Sequence, residues 1–78
     1  MDIYTLDKMY RGSVLRVVAI SGGRIARSKL MDLGIIPGEH LTVTKNDGNG
    51  PLIIEHHGSR LVVGTGLAGK VRVSPLNE

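Results

Sequence analysis

The segment Leu52-Ile53-Ile54-Glu55-His56-His57-Gly58-Ser59-Arg60-Leu61-Val62-Val63 decides the fold, because it reads as two strands and the turn that joins them. Aliphatic, β-branched residues flank Gly58-Ser59, which has the chemistry of a two-residue hairpin turn of the II′ kind. That turn predicts the opposed pairs His57–Arg60, His56–Leu61, Glu55–Val62 and Ile54–Val63. Leu52, Ile54, Leu61 and Val63 then share one face, which must be the core side. Ile53, Glu55, His57, Arg60 and Val62 share the other. A lone hairpin is marginal in water, so further strands have to cover the aliphatic face.

They are present on both sides. Upstream, Leu41 and Val43 alternate with Thr42 and Thr44, giving a half-buried strand that ends in the turn formers Asn46 to Pro51. Ser13 to Ile20 is a β-branched first strand with Arg16 on its solvent side. Downstream, Thr65 to Ala68 reads as a helical turn, and Lys70 to Val73 as a last strand with Val71 and Val73 inward. Between the first two strands the period changes. Ala26, Leu30 and Leu33 recur at i, i+4 and i+7 with Ile25 beside them, which predicts one amphipathic helix from Arg24 to Leu33. Ser21 or one of the glycines Gly22 and Gly23 can cap its start, and Gly34 suits a left-handed cap at its end. Ile36-Pro37-Gly38-Glu39 follows as a type II turn.

The expected class is therefore mainly β: five short strands with one short helix inserted after the first. Closing such a sheet on itself buries its aliphatic face and removes its edges, so a small SH3-like β-barrel is expected. Residues 1–78 leave room for a single domain, with a core from about 6 to 74.

Composition narrows the function. Val, Leu and Ile number 24 of 78 residues, enough for an aliphatic core, while Tyr4 and Tyr10 are the only aromatics. Base-stacking platforms and aromatic peptide grooves are thereby disfavoured. Cysteine is absent, which excludes disulfides, thiolate metal sites and cysteine nucleophiles. No apolar run approaches the ~20 residues of a membrane span, and Met1-Asp2-Ile3-Tyr4 lacks the basic start of a signal peptide. A cytoplasmic protein is expected. The net charge of +3 permits an acidic partner but is no dense nucleic-acid footprint.

Chemical motifs are few. Gly64-Thr65-Gly66-Leu67-Ala68-Gly69 spells G-x-G-x-x-G, but a dinucleotide site also needs a full helix, a return strand and a later acid, and only nine residues remain. A tight corner is the better reading, and no cofactor is expected. Ser21-Gly22-Gly23 lacks the Lys-Ser/Thr that would complete a phosphate loop. His40, His56 and His57 are the only imidazoles and the metal candidates. Consecutive strand residues point to opposite faces, so His56 and His57 are not expected to share an ion without a bulge. The carboxylates Asp2, Asp7, Asp32, Glu39, Asp47, Glu55 and Glu78 show no ligand spacing, and no metal site is expected. Ser59 near His57 has no third orienting group, so catalysis is not expected either.

The order of these pieces is similar to the FeoA family. A strand, Gly-Gly, a helix ending in Lys29-Leu30-Met31-Asp32-Leu33-Gly34-Ile35, and then Pro37-Gly38 carry the resemblance, and the later Gly50-Pro51, Gly58 to Val63, Ala68 and Val71 to Val73 extend it. Where many members have Arg before the helix Leu, this chain has Lys29, a point charge in place of a planar fork. The resemblance implies a small non-enzymatic, accessory or regulatory protein of bacterial ferrous iron uptake. It would act by protein–protein interaction with the cytoplasmic part of a FeoB-type permease and approach the membrane only through that partner.

Two alternatives are a basic barrel that binds nucleic acid and an iron-responsive domain of the repressor type. Basic residues are strewn over the chain without interleaved aromatics, which speaks against nucleic acid. The expected contact surface combines Arg24, Arg27 and Lys29 of the helix with Ile35, and with an outward Ile53 and Val62 on the hairpin. That last pair would also allow a homo-oligomer.

Overall fold

A computed structural model describes residues 2–77; Met1 and Glu78, the latter counted above among the carboxylates, lie outside the described residues. Six strands form one antiparallel sheet: β1 (Tyr4–Thr5), β2 (Val14–Ile20), β3 (His40–Lys45), β4 (Leu52–His56), β5 (Ser59–Val63) and β6 (Val71–Pro75). A 3₁₀ turn, Leu6–Lys8, follows β1. The helix α1 (Arg24–Asp32) joins β2 to β3, and the short α2 (Thr65–Ala68) joins β5 to β6.

The sheet order is β1-β6-β2-β3-β4-β5. The expected mainly-β, SH3-like architecture is thus present, with two corrections. There are six strands among the described residues, because Tyr4 and Thr5 pair with Val73 and Arg72 of β6, a two-residue strand too short to show a period. The hydrogen-bonded ladder is also not closed, since β1 and β5 stand at its two edges. Curvature takes the place of closure. Register shifts between Val17 and Ala19 against β6, and between Val43 and Lys45 against β4, bend the sheet round its aliphatic face. The edges are protected by the brevity of β1 and by exposed Arg60 on β5.

The core is the one that the alternation predicts. Leu15, Val17, Leu41, Val43, Leu52, Ile54, Val63, Val71 and Val73 are all buried, joined by Leu6, Met9, Leu30, Ile35 and Ala68. Leu61 is half-buried and packs against this cluster. Asn46 ties the N-terminal segment down by donating through Nδ2 to the carbonyls of Asp7 (3.1 Å) and Met9 (2.7 Å).

The hairpin turn is His57-Gly58, not Gly58-Ser59. His56 pairs with Ser59, Glu55 with Arg60, Ile54 with Leu61, Ile53 with Val62 and Leu52 with Val63. Both turn residues have positive φ, 51° at His57 and 79° at Gly58, as a type I′ turn requires. Its twist suits the flanking strands, and histidine is among the few side chains enriched in that conformation. The register differs from the expected one by two residues, so the strand side chains keep their expected faces, and His57, now in the turn, does not.

Candidate functional site

The site is assembled from the block that ends α1 and the tip of the hairpin. Leu33 is the C-cap of α1, followed by Gly34, which turns left-handed with φ +83°. The Ile35 N–H then donates to the Leu30 carbonyl and the Gly34 N–H to the Met31 carbonyl, both at 2.9 Å. These are the two bonds of a Schellman cap, and the accompanying apolar contact is between Leu30 and Ile35, both fully buried. Gly23 occupies the N-cap position; Ser21 does not cap, its hydroxyl donating to the Lys70 carbonyl instead.

Ile36 to Glu39 forms the expected turn, with Gly38 at φ +97° and the Glu39 N–H donating to the Ile36 carbonyl at 3.2 Å. Two further backbone bonds fasten this turn to β2, from the Gly38 N–H to the Val17 carbonyl and from the Val17 N–H to the Glu39 carbonyl, each 2.8 Å. Glu39 is thereby held on a rigid support facing the end of β4.

There it meets two imidazoles. His57 Nε2 lies 3.1 Å from Glu39 Oε2 in a hydrogen bond, and His56 Nε2 lies 3.3 Å from the same oxygen. The His56 approach is close but off the line that a hydrogen bond needs, and its Nε2 is buried without a hydrogen-bond partner among the described residues. The two rings meet edge to face with centroids 4.1 Å apart. His56 is principally responsible for holding the Glu39 carboxyl below its ordinary range, with the hydrogen bond and charge of His57 adding to it and desolvation opposing it.

This corrects the expectation that His56 and His57 face apart. Alternation ends at His56, and the left-handed backbone of His57 swings its ring back over the same carboxylate. One ligand atom from each of Glu39, His56 and His57 lies within 4.8 Å of the others. His40 is not brought in: it is exposed and pairs with Arg16 on β2. Glu39 is the residue that sequence reasoning missed. Its signal was its place directly after Pro37-Gly38, where the turn fixes its direction.

The expected contact surface is also rearranged. Arg24, Arg27 and Lys29 are exposed on α1, and Val62 is 66% exposed on edge strand β5, while Ile53 is half-buried. Ile35 is fully buried and cannot contact a partner, because the Schellman cap turns it inward. Ile25, expected beside the core stripe, is 74% exposed instead. Only Leu30 of the nine residues of α1 is buried, so the helix rests on the sheet along one edge. Beside it, a cleft of about 290 Å³ is lined by exposed Met31 and Ile36, by Val18, Ala19 and Ile20 of β2, and by Arg27.

Gly64 to Gly69 forms the corner expected of it, a four-residue helix with Gly64 as its N-cap. Among the described residues, no helix is long and apolar enough to cross a membrane.

Comparison with known proteins gives one consistent result. The profile of the FeoA domain matches residues 4–75. A relative from Methanocaldococcus jannaschii, provisionally named Fe(2+) transport protein A, is 38% identical over 71 residues, covering 91% of this chain and 85% of its own. The crystal structure of an iron uptake regulatory protein, FeoA, superposes with a TM-score of 0.92 at 40% identity, covering 96% of this chain and all of that one. A manganese-dependent transcriptional repressor also superposes, with a TM-score of 0.87 at 18% identity over 95% of this chain and 42% of its own. At that identity the likeness is one of fold alone.

Proposed function

Since the chain belongs to the FeoA family, we propose that it serves ferrous iron uptake as a non-enzymatic accessory protein that docks on the cytoplasmic part of a FeoB-type permease. The observation that carries this reading is the cleft between α1 and β2. Met31 and Ile36 are 63% and 37% exposed there, beside an exposed arginine, on a helix that leaves eight of its nine residues outside the core. A small domain rarely leaves large aliphatic side chains grouped in water without a protein to cover them. On the other side of α1, Ile25 with Arg24, Lys29 and Leu67 lines a second depression, so both flanks of the helix offer apolar area with a basic border. Such a surface fits an acidic-rimmed apolar patch on the partner.

The deciding measurement is a titration of isotope-labelled protein with the intact permease in lipid nanodiscs. Amide perturbations grouped between Arg24 and Ile36, and lost in Met31→Asp, are expected. A spectrum unmoved by saturating permease would reject the reading. Val62, alone on its edge strand, is expected to stay unperturbed.

A further inference from the structure

We propose that Glu39, His56 and His57 form a binding site for one divalent first-row transition-metal ion, with two imidazole Nε2 atoms and one carboxylate oxygen as protein ligands. This inference stands apart from the docking reading. It rests first on geometry. The Nε2–Oε2 separations of 3.1 and 3.3 Å match the spacing of neighbouring ligand atoms round one ion, since metal–ligand bonds of about 2.1 Å place such atoms about 3.0 to 3.4 Å apart.

The second support is the orphaned nitrogen. The His56 side chain is nine-tenths buried, and its Nε2 lies 3.3 Å from the carboxylate oxygen without the alignment of a hydrogen bond. A buried polar atom left unsatisfied needs an explanation. An ion seated between the two histidines and Glu39 supplies one, because the lone pair of Nε2 then points to the metal and not past an oxygen.

The third is preorganisation. His56 is packed against Gly34, His57 is fixed by the I′ turn, and Glu39 is fixed by a turn bonded twice to β2. Ligands held by the backbone in this way are not ordered afresh when the ion arrives. His57 is 72% exposed, so the remaining coordination positions face water. The site is therefore suited to an ion that exchanges, not to a sealed structural one.

Donor chemistry sets the class. Two imidazoles and one carboxylate suit ferrous iron, manganese or zinc, whereas magnesium and calcium prefer all-oxygen shells.

The test uses the full chain after chelator treatment, titrated anaerobically with Fe²⁺ and separately with Zn²⁺ in competition with a chromophoric chelator. One equivalent is expected to bind, with a 100-fold excess of Mg²⁺ or Ca²⁺ failing to displace it. His57→Ala and Glu39→Gln should each weaken binding at least about tenfold, the loss that removal of even an outer-shell partner produces. His57 is exposed, so its truncation leaves the core intact and decides the matter even if a His56 variant does not fold. Substoichiometric Mn²⁺ should broaden the amides of Glu39, His56 and His57 before any others. Binding that is absent for Fe²⁺ and Zn²⁺, or unaffected by both substitutions, or broadening centred on His40, would overturn the proposal.

Discussion

Gly34 lies against the His56 imidazole so closely that a Cβ built on it would fall 3.1 Å from Cε1 and 3.4 Å from Nδ1. The residue that ends α1 thus also shapes the wall of the histidine pair. Two separate physical demands meet there: a positive φ, which glycine alone adopts freely, and the absence of a side chain. Gly34→Ala should therefore destabilise the fold by about 2 kcal/mol, the order of a strained left-handed residue. Urea denaturation will show it as a lower midpoint with an unchanged slope. A second substitution, His56→Ala, should relieve only the contact part and leave the backbone part. Full recovery in that double variant would refute the account.

At the hairpin tip, His57 has a left-handed backbone and donates through Nε2–H to the Glu39 carboxylate. His57→Asn and His57→Val both remove the ring, but only asparagine tolerates that backbone. The valine variant should be less stable than the asparagine variant by about 1–2 kcal/mol. Comparing the two isolates the turn from the lost hydrogen bond to Glu39. Equal thermal midpoints would mean that the tip rearranges.

Glu39 gives the acid side of the stability profile a definite sign. Its carboxyl is held below the ordinary range by the adjacent imidazoles, so the folded state binds this proton less readily than the unfolded chain. The stabilisation is complete above the ordinary carboxylate range and is lost as the pH falls through the lowered native value. In chelator-treated protein, the stability gap between the parent and Glu39→Gln should be present above the ordinary carboxylate range and shrink below about pH 4. A gap that grows below that pH would contradict this assignment.

Ile35 and Val62 look alike in the sequence as exposed contact candidates, yet one is fully buried and the other 66% exposed. Ile35→Ala should cost about 2–5 kcal/mol, whereas Val62→Ala should stay within about 0.5 kcal/mol. Calorimetric unfolding of the two variants separates them directly.

Much of the architecture was legible because it rests on short-range chemistry. Period 2 in the strands, period 3.6 over Arg24 to Asp32, Gly34 after the helix and Pro37-Gly38 in the turn each act through neighbours in the chain. Even the misplaced hairpin turn did little harm. A slip of two residues keeps the side chains on their faces, so the buried set of Leu52, Ile54 and Val63 survived it. The two-residue β1 was beyond such reading, because its partner on β6 lies 69 residues away at Tyr4–Val73.

The candidate metal cluster was legible only as three unconnected letters. His56 and His57 are adjacent in sequence, and alternation alone sends them apart. Glu39 precedes His57 by 18 positions, with β3 and β4 intervening. Local sequence determined the helix caps, the turns and which faces are aliphatic, since backbone sterics and hydrophobic period act over a few residues. The tertiary structure alone decided that a carboxylate and two imidazoles converge, because that required the sheet to curl and one histidine to leave the strand with a left-handed backbone.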